Sequence, residues 1–346
     1  MGIYIFIASL FIILYCFRKT NSSFLWLAVV IFVGLSALRG PDVGIDHVAY
    51  MTGFLKDIPT LPFSALTFKW EVGWIVLNEF AIHTWNDWRF MLFIIACLTV
   101  LPFIFVLKKE TPDPLLAVTL YLLFYYFILP FSLVKQGVAI SLFMLAIYYF
   151  KKTDNLRALL FFVLACSIHY SAILMAPFVF IANKIDLKPK TAVIALSATF
   201  VLGLIGFDGP VRSLIEMLPY EKYQNYADYK SDVKFSRLNF YLSLLPKNIA
   251  CGLIFLYLKQ GRNKLYKNLL LSGMVLGNLF ITISLISRFV IYTYPIEIIL
   301  LTRLVYQYEG RKRVIVCVGV LTYALLYFIY SLQTNRGGVI PYEFYF

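Results

Sequence analysis

The feature that most limits what this chain can fold into is its train of apolar runs. Scanned with a window of about 19 residues, they fall at 2–17, 22–38, 88–107, 115–131, 134–150, 157–183, 191–207, 239–258, 268–286, 289–306 and 314–332. Most approach the roughly 20 residues that a helix needs to cross a bilayer. Only 14% of the residues are charged, where a soluble domain carries about 25%. The pattern predicts an all-α, polytopic integral membrane protein with one membrane domain over 1–346. It excludes a soluble enzyme, a coiled coil, a disordered chain and a disulfide scaffold. The cysteines Cys16, Cys97, Cys166, Cys251 and Cys317 lie singly in apolar runs, with no CxxC pair, and read as small buried hydrophobes. The first run lacks a basic leader and a cleavage site, so it reads as an uncleaved first transmembrane helix.

Charge sets the orientation. Lys and Arg cluster at Arg18-Lys19, Lys108-Lys109, Lys151-Lys152 with Arg157, Lys184 to Lys190, Lys259 to Lys267, and Arg311 to Arg313. The positive-inside rule assigns all of these to the cytoplasmic side. The formal charge of +13 is then a topogenic signal and gives no sign of a nucleic-acid partner. For Lys152 and Lys184 to share a face, the run 157–183 must enter and return. It therefore breaks near His169-Tyr170-Ser171, as two short helices or a re-entrant hairpin. Residues 71–84 read as an interfacial helix on the outer side. Counting the broken pair gives about twelve transmembrane helices at roughly 20 residues each, with both termini outside. The longer polar segments, 39–87 and 208–238, then face outwards and carry both signs of charge.

The residues able to do chemistry gather in the first of these segments and at helix ends assigned to the same side. Arg39 follows the second run directly, with Asp46, His47 and Tyr50 just beyond a Gly-Pro bend. Such charges also serve as ordinary interface anchors. Lys69-Trp70-Glu71-Val72-Gly73-Trp74 opens the interfacial stretch, where Glu71 can act chemically or simply favour a helix N-terminus. Lys135 and Gln136 begin an otherwise apolar helix, a placement that suits an anionic ligand or a snorkelling lysine. His169 sits at a helix break, and broken helices in membranes line cavities. Arg288 supplies a third cation at an outer mouth. Glu297, deeper in its helix, can pair with Arg303 or face a cavity. Tyr220 to Tyr226 is tyrosine-rich and fits sugar stacking or interface docking alike. Histidines only at 47, 83 and 169 argue against a histidine metal site; Asp42 and Asp46 could hold a hard divalent ion.

Taken in order, Arg39…Gly44-x-Asp46…Tyr50, Glu71-x-Gly73-aromatic, Lys135-Gln136-x-x-Ala139, His169-x-Ser171-Ala172 and Arg288 before a Tyr-containing helix resemble the EpsG-type, Wzy-like bacterial polysaccharide polymerases. The landmarks span most of the chain. It departs from the family's pattern at Lys135, where Arg is usual, and at Val72, where Pro is usual. Lys acts as a point charge and lacks the bidentate fork. The resemblance implies a metal-independent, membrane-embedded glycosyltransferase of the bacterial cytoplasmic membrane that needs no cofactor. Its donor and acceptor would be oligosaccharides on undecaprenyl pyrophosphate, joined at the outer face, with a chain-length regulator as a further partner. Arg39, Lys135 and Arg288 would then face the leaving pyrophosphate. His169 or Asp46 would take the acceptor proton, and Gln136, Glu71 and Tyr50 would complete the binding surface. A ligase, an O-acyltransferase and a flippase or secondary transporter are the rival classes. Transporters usually show internal repeats and midplane charges, and this chain shows no repeat.

Overall fold

The computed structural model describes residues 1–17, 23–207, 209, 211, 213 and 237–345. The basic pair Arg18-Lys19 and the tyrosine-rich Tyr220 to Tyr226 lie outside the described residues. Among those described, the chain is helical apart from one isolated bridge between Arg39 and Phe344. The helices are α1 (Gly2–Cys16), α2 (Ser23–Ala37), α3 (His47–Thr52), α4 (Ile58–Thr60), α5 (Phe63–Lys69), α6 (Val72–Trp85), α7 (Trp88–Glu110), α8 (Pro114–Leu123), α9 (Val134–Lys151) and α10 (Asn155–Ile168). They continue as α11 (Met175–Lys184), α12 (Pro189–Leu204), α13 (Arg237–Tyr257), α14 (Lys264–Phe280), α15 (Ser284–Val290), α16 (Ile296–Tyr306) and α17 (Gly310–Gln333).

Short polar signals punctuate the apolar runs. Asp87 caps α7 by accepting from the Arg89 amide, and Asp113 caps α8 by accepting from Leu115 and Leu116. Pro114 occupies the first turn of α8, where its missing N–H costs nothing. Asp154 caps α10 through the Arg157 amide. Lys108 and Lys109 close α7 on the side its dipole favours. Asn86 ends α6 in a left-handed conformation, leaving a two-residue joint to α7.

Three apolar runs read as continuous are not single helices, among them 268–286, which is interrupted over 281–283 between α14 and α15. The run 115–131 is α-helical only to Leu123. Tyr125 turns to φ 67°, and a 3₁₀ turn over Leu129–Phe131 carries Pro130, a residue that cannot donate into a helix. The run 289–306 splits between Val290 and Ile296, because Pro295 disfavours helix at Tyr294 and then opens α16. The run 157–183 does break at the expected place. α10 ends at Ile168, His169 is extended at φ −149°, ψ 108°, and a 3₁₀ turn over Tyr170–Leu174 leads into α11.

The chain divides into two compact units, Met1–Ile173 with Val314–Phe346, and Leu174–Arg313. In the first, α9 is buried along most of its length and packs on α7 and α10, while α7 also packs on α2. α8 is buried almost throughout. In the second, α14 packs on α11, α12, α13 and α15. Gly203 lies so close to Asn278 that an added Cβ would stand 1.8 Å from its carbonyl oxygen. α7 and α17 are each long and apolar enough to cross a membrane, and several shorter apolar helices accompany them. Large apolar side chains cover the outside, among them Trp26, Phe6, Leu156 and Val314. Water would penalise a surface of this kind, and lipid would accept it.

Candidate functional site

The first unit joins three sequence landmarks around one carboxylate. Glu71 occupies the residue before α6 with extended backbone, the usual place for a capping side chain, yet it caps nothing. Its Oε1 lies 2.9 Å from Nδ1 of His169, and its Oε2 accepts from Lys135 Nζ at 2.5 Å. α9 presents Lys135 from its first turn, and the break after α10 presents His169. Gly73 permits the approach, because an added Cβ would stand 2.3 Å from Ser167 Oγ on α10. Gly73→Ala should therefore push α6 off α10, at about 1–3 kcal/mol for overpacking, and lower the melting temperature in detergent. An unchanged melt would show that the helices part freely.

Around this core the Lys135 ammonium lies 5.0 Å from the Trp70 ring centroid and 5.8 Å from that of Tyr50. Tyr50 packs edge-on against Trp74. Trp70 donates to Asp57 at 3.2 Å, and Lys69 pairs with the same carboxylate. Burial pushes the Glu71 carboxyl up, but the His169 hydrogen bond and the Lys135 charge outweigh it and hold the group at about 2. Glu71 is thus an anion at any physiological pH. With that anion accepting from Nδ1–H, a neutral His169 carries its lone pair on Nε2. Nε2 has no hydrogen-bond partner among the described residues, and the side chain is 15% exposed.

The other expected site residues fall elsewhere. Arg39 is buried at 1% exposure, with its guanidinium 4.9 Å from the Phe131 ring. Nη1 donates to the Ser36 carbonyl and hydroxyl, at 2.7 and 3.0 Å. Nε and Nη2 are buried without a partner among the described residues. Gln136 is buried at the start of α9, and Asp46 is half-buried before α3. Arg288 is half-buried on α15 in the second unit. Among the described residues no group of three or more His, Cys, Asp or Glu side chains gathers at metal spacing.

His47 is fully buried. Its Nε2 accepts from the Trp88 indole at 2.8 Å, and its Nδ1 faces the Val43 carbonyl at 3.3 Å. Burial, with Arg39 nearby, pulls its pKa from 6.5 to about 4. A histidine depressed in the fold binds its proton more readily when unfolded. Its stabilising contribution is therefore complete above about pH 6.5 and is lost as pH falls through about 4. Melting temperature should fall over that window, and less steeply in His47→Gln. Equal slopes would remove His47 as the cause.

The sequence reading missed one feature. Lys247 of α13, just after Pro246, pairs with Glu297 at 2.6 Å, with both side chains almost fully buried. Glu297 is thus held by Lys247, while Arg303 donates to Asn263 at 2.8 Å. The signal was present as a lysine inside the apolar run 239–258.

A model described as the EpsG family matches residues 22–344, nearly the whole chain and every landmark above. The chain belongs to the EpsG family. This family is associated with exopolysaccharide biosynthesis. No curated protein and no solved structure matches the chain.

Proposed function

We propose that this EpsG-family chain is a polymerase that joins oligosaccharide repeat units carried on undecaprenyl pyrophosphate, at the outer face of the cytoplasmic membrane. The observation that carries this reading is the Glu71–His169 pair at a helix break, with Nε2 left open. An acceptor sugar hydroxyl is almost un-ionised at neutral pH, so a base must take its proton as attack proceeds. His169 Nε2 is that base. Glu71 holds the imidazole in the required tautomer and steadies the imidazolium that forms, as carboxylates do in other histidine-based sites. The new bond joins the acceptor oxygen to the donor's anomeric carbon. The bond from that carbon to the pyrophosphate oxygen breaks, and the electron pair leaves with the lipid carrier.

Arg39, with two idle guanidinium nitrogens, is the cation best fitted to phosphate oxygens. Lys135 is already shared with Glu71, so its first task is to fix that carboxylate, and it offers the pyrophosphate only a point charge. Arg288 keeps its sequence-based assignment as a phosphate-binding residue. Gln136, Tyr50 and Asp46 are assigned to the acceptor and donor sugars. In the proposed topology the chain makes about twelve spans with both termini outside, so that the basic loops face the cytoplasm and the long segments face outwards.

A cell lacking the protein should accumulate single lipid-linked units on the outer face and make no polymer. The parent gene should restore polymer, while Arg39→Ala and Arg288→Ala should each fail although the protein reaches the membrane. Units trapped on the inner face would identify a flippase. Full polymer from the two alanine variants would reduce these arginines to anchors.

A further inference from the structure

The residues after α17 lie across the loop that carries Arg39. Asn335 organises the base of this segment. Its side chain accepts from the Val339 and Ile340 amides and donates to the Ile340 carbonyl. The base is tied down by Gly44 N–H to Gly338 O at 2.9 Å and Ile45 N–H to Gly337 O at 3.1 Å, and by the Ser132 hydroxyl donating to Gly337 O. Gly44, at φ +106°, leaves no room for a Cβ, which would stand 2.2 Å from the Phe131 carbonyl oxygen. The far part, residues 342–345, is held differently. Gly40 N–H donates to Glu343 O at 2.7 Å, Tyr345 N–H to Leu38 O at 2.9 Å, and the Tyr342 hydroxyl to Leu35 O at 2.8 Å. The Tyr342 ring packs edge-on against Tyr4 and Phe344. Arg39 and Phe344 form the isolated antiparallel bridge found among the described residues.

Close to this stretch, within electrostatic reach of Tyr342, lies the Arg39 guanidinium, whose Nε and Nη2 are buried without a partner among the described residues. Burying unpaired donors of a charged group is costly. The cost disappears if those donors meet an anion, yet a guanidinium at 1% exposure is out of a ligand's reach. We propose that residues 342–345 form a lid that must lift from loop 38–40 before Arg39 takes the oxygens of a phosphate-bearing ligand. Its base stays fixed by Asn335. This inference rests on the reading of Arg39 as a phosphate-binding residue.

The lid can be locked. An added Cβ at Gly40 would stand 3.5 Å from that of Glu343, the separation that a disulfide spans. Gly40→Cys with Glu343→Cys, in a chain whose five cysteines have been replaced, should cross-link on oxidation. Binding of inorganic pyrophosphate to the purified full chain in detergent is then measured by calorimetry, oxidised and reduced. The reduced form should bind and Arg39→Gln should not. Oxidation should weaken binding at least tenfold, and reductant should restore it. Equal binding by both forms would overturn the lid and leave Arg39 as a phosphate-binding residue. No binding by the reduced form or by the parent would overturn the reading of Arg39, and the lid with it. If the double variant does not fold, Tyr342→Phe serves instead, since it removes the latch to Leu35. It should bind pyrophosphate severalfold more tightly than the parent; unchanged or weaker binding would overturn the lid.

Discussion

His169→Gln should slow the joining of lipid-linked units by about 10²–10⁴-fold, the usual contribution of a positioned general base. Glutamine is similar in reach and keeps a donor for Glu71, so the fold around the break should survive. It cannot accept the acceptor's proton at useful pH. Any residual rate should also lose the parent's dependence on an ionising group. Glu71→Gln should cost a comparable factor for a different reason. It frees the imidazole to turn and leaves Lys135, only 12% exposed, without its counter-charge. The two variants should not be additive, because both disable one unit. A near-parent rate for His169→Gln, with the parent's pH profile, would move the base elsewhere, with Asp46 next to be tested.

Lys247→Met should destabilise the second unit by about 3–5 kcal/mol, the cost of leaving a buried partner charge uncompensated. Glu297 has only 3% side-chain exposure, so water cannot take over the lost role. Lys247→Met with Glu297→Leu should recover most or all of that loss, since a well-packed apolar pair often equals a buried ion pair. Unfolding in detergent measures both. If the double variant is no more stable than the single, the pair contributes beyond mutual neutralisation.

Much of this architecture was legible in the sequence, for identifiable reasons. Apolar runs report spans, because a backbone in lipid must satisfy its own hydrogen bonds. The break at His169 followed from charge bookkeeping alone, since two basic clusters flank a run too long for one crossing and too short for two ordinary ones. The interruptions at Tyr125 and before Pro295 were hidden by apolar composition, which masks a turn that window hydropathy averages over. The site shows the same division. Its members were visible as polar residues at helix ends, but their pairing was not. Glu71 joins His169 across a separation of 98 residues, and nothing local at position 71 distinguishes a cap from a catalytic partner. Arg39 and Lys135 read alike as outer cations. Only packing shows that one is paired with a carboxylate and the other is buried against Phe131 and Ser36.

The most direct test of glycosyl transfer is stoichiometric. Purified protein in proteoliposomes is given lipid-linked repeat units labelled in both sugar and carrier. The account predicts a ladder of longer lipid-linked glycans, with one free undecaprenyl pyrophosphate released for each new glycosidic bond and none released by His169→Gln. Movement of intact units across the vesicle wall, with no ladder and no free carrier, would contradict it.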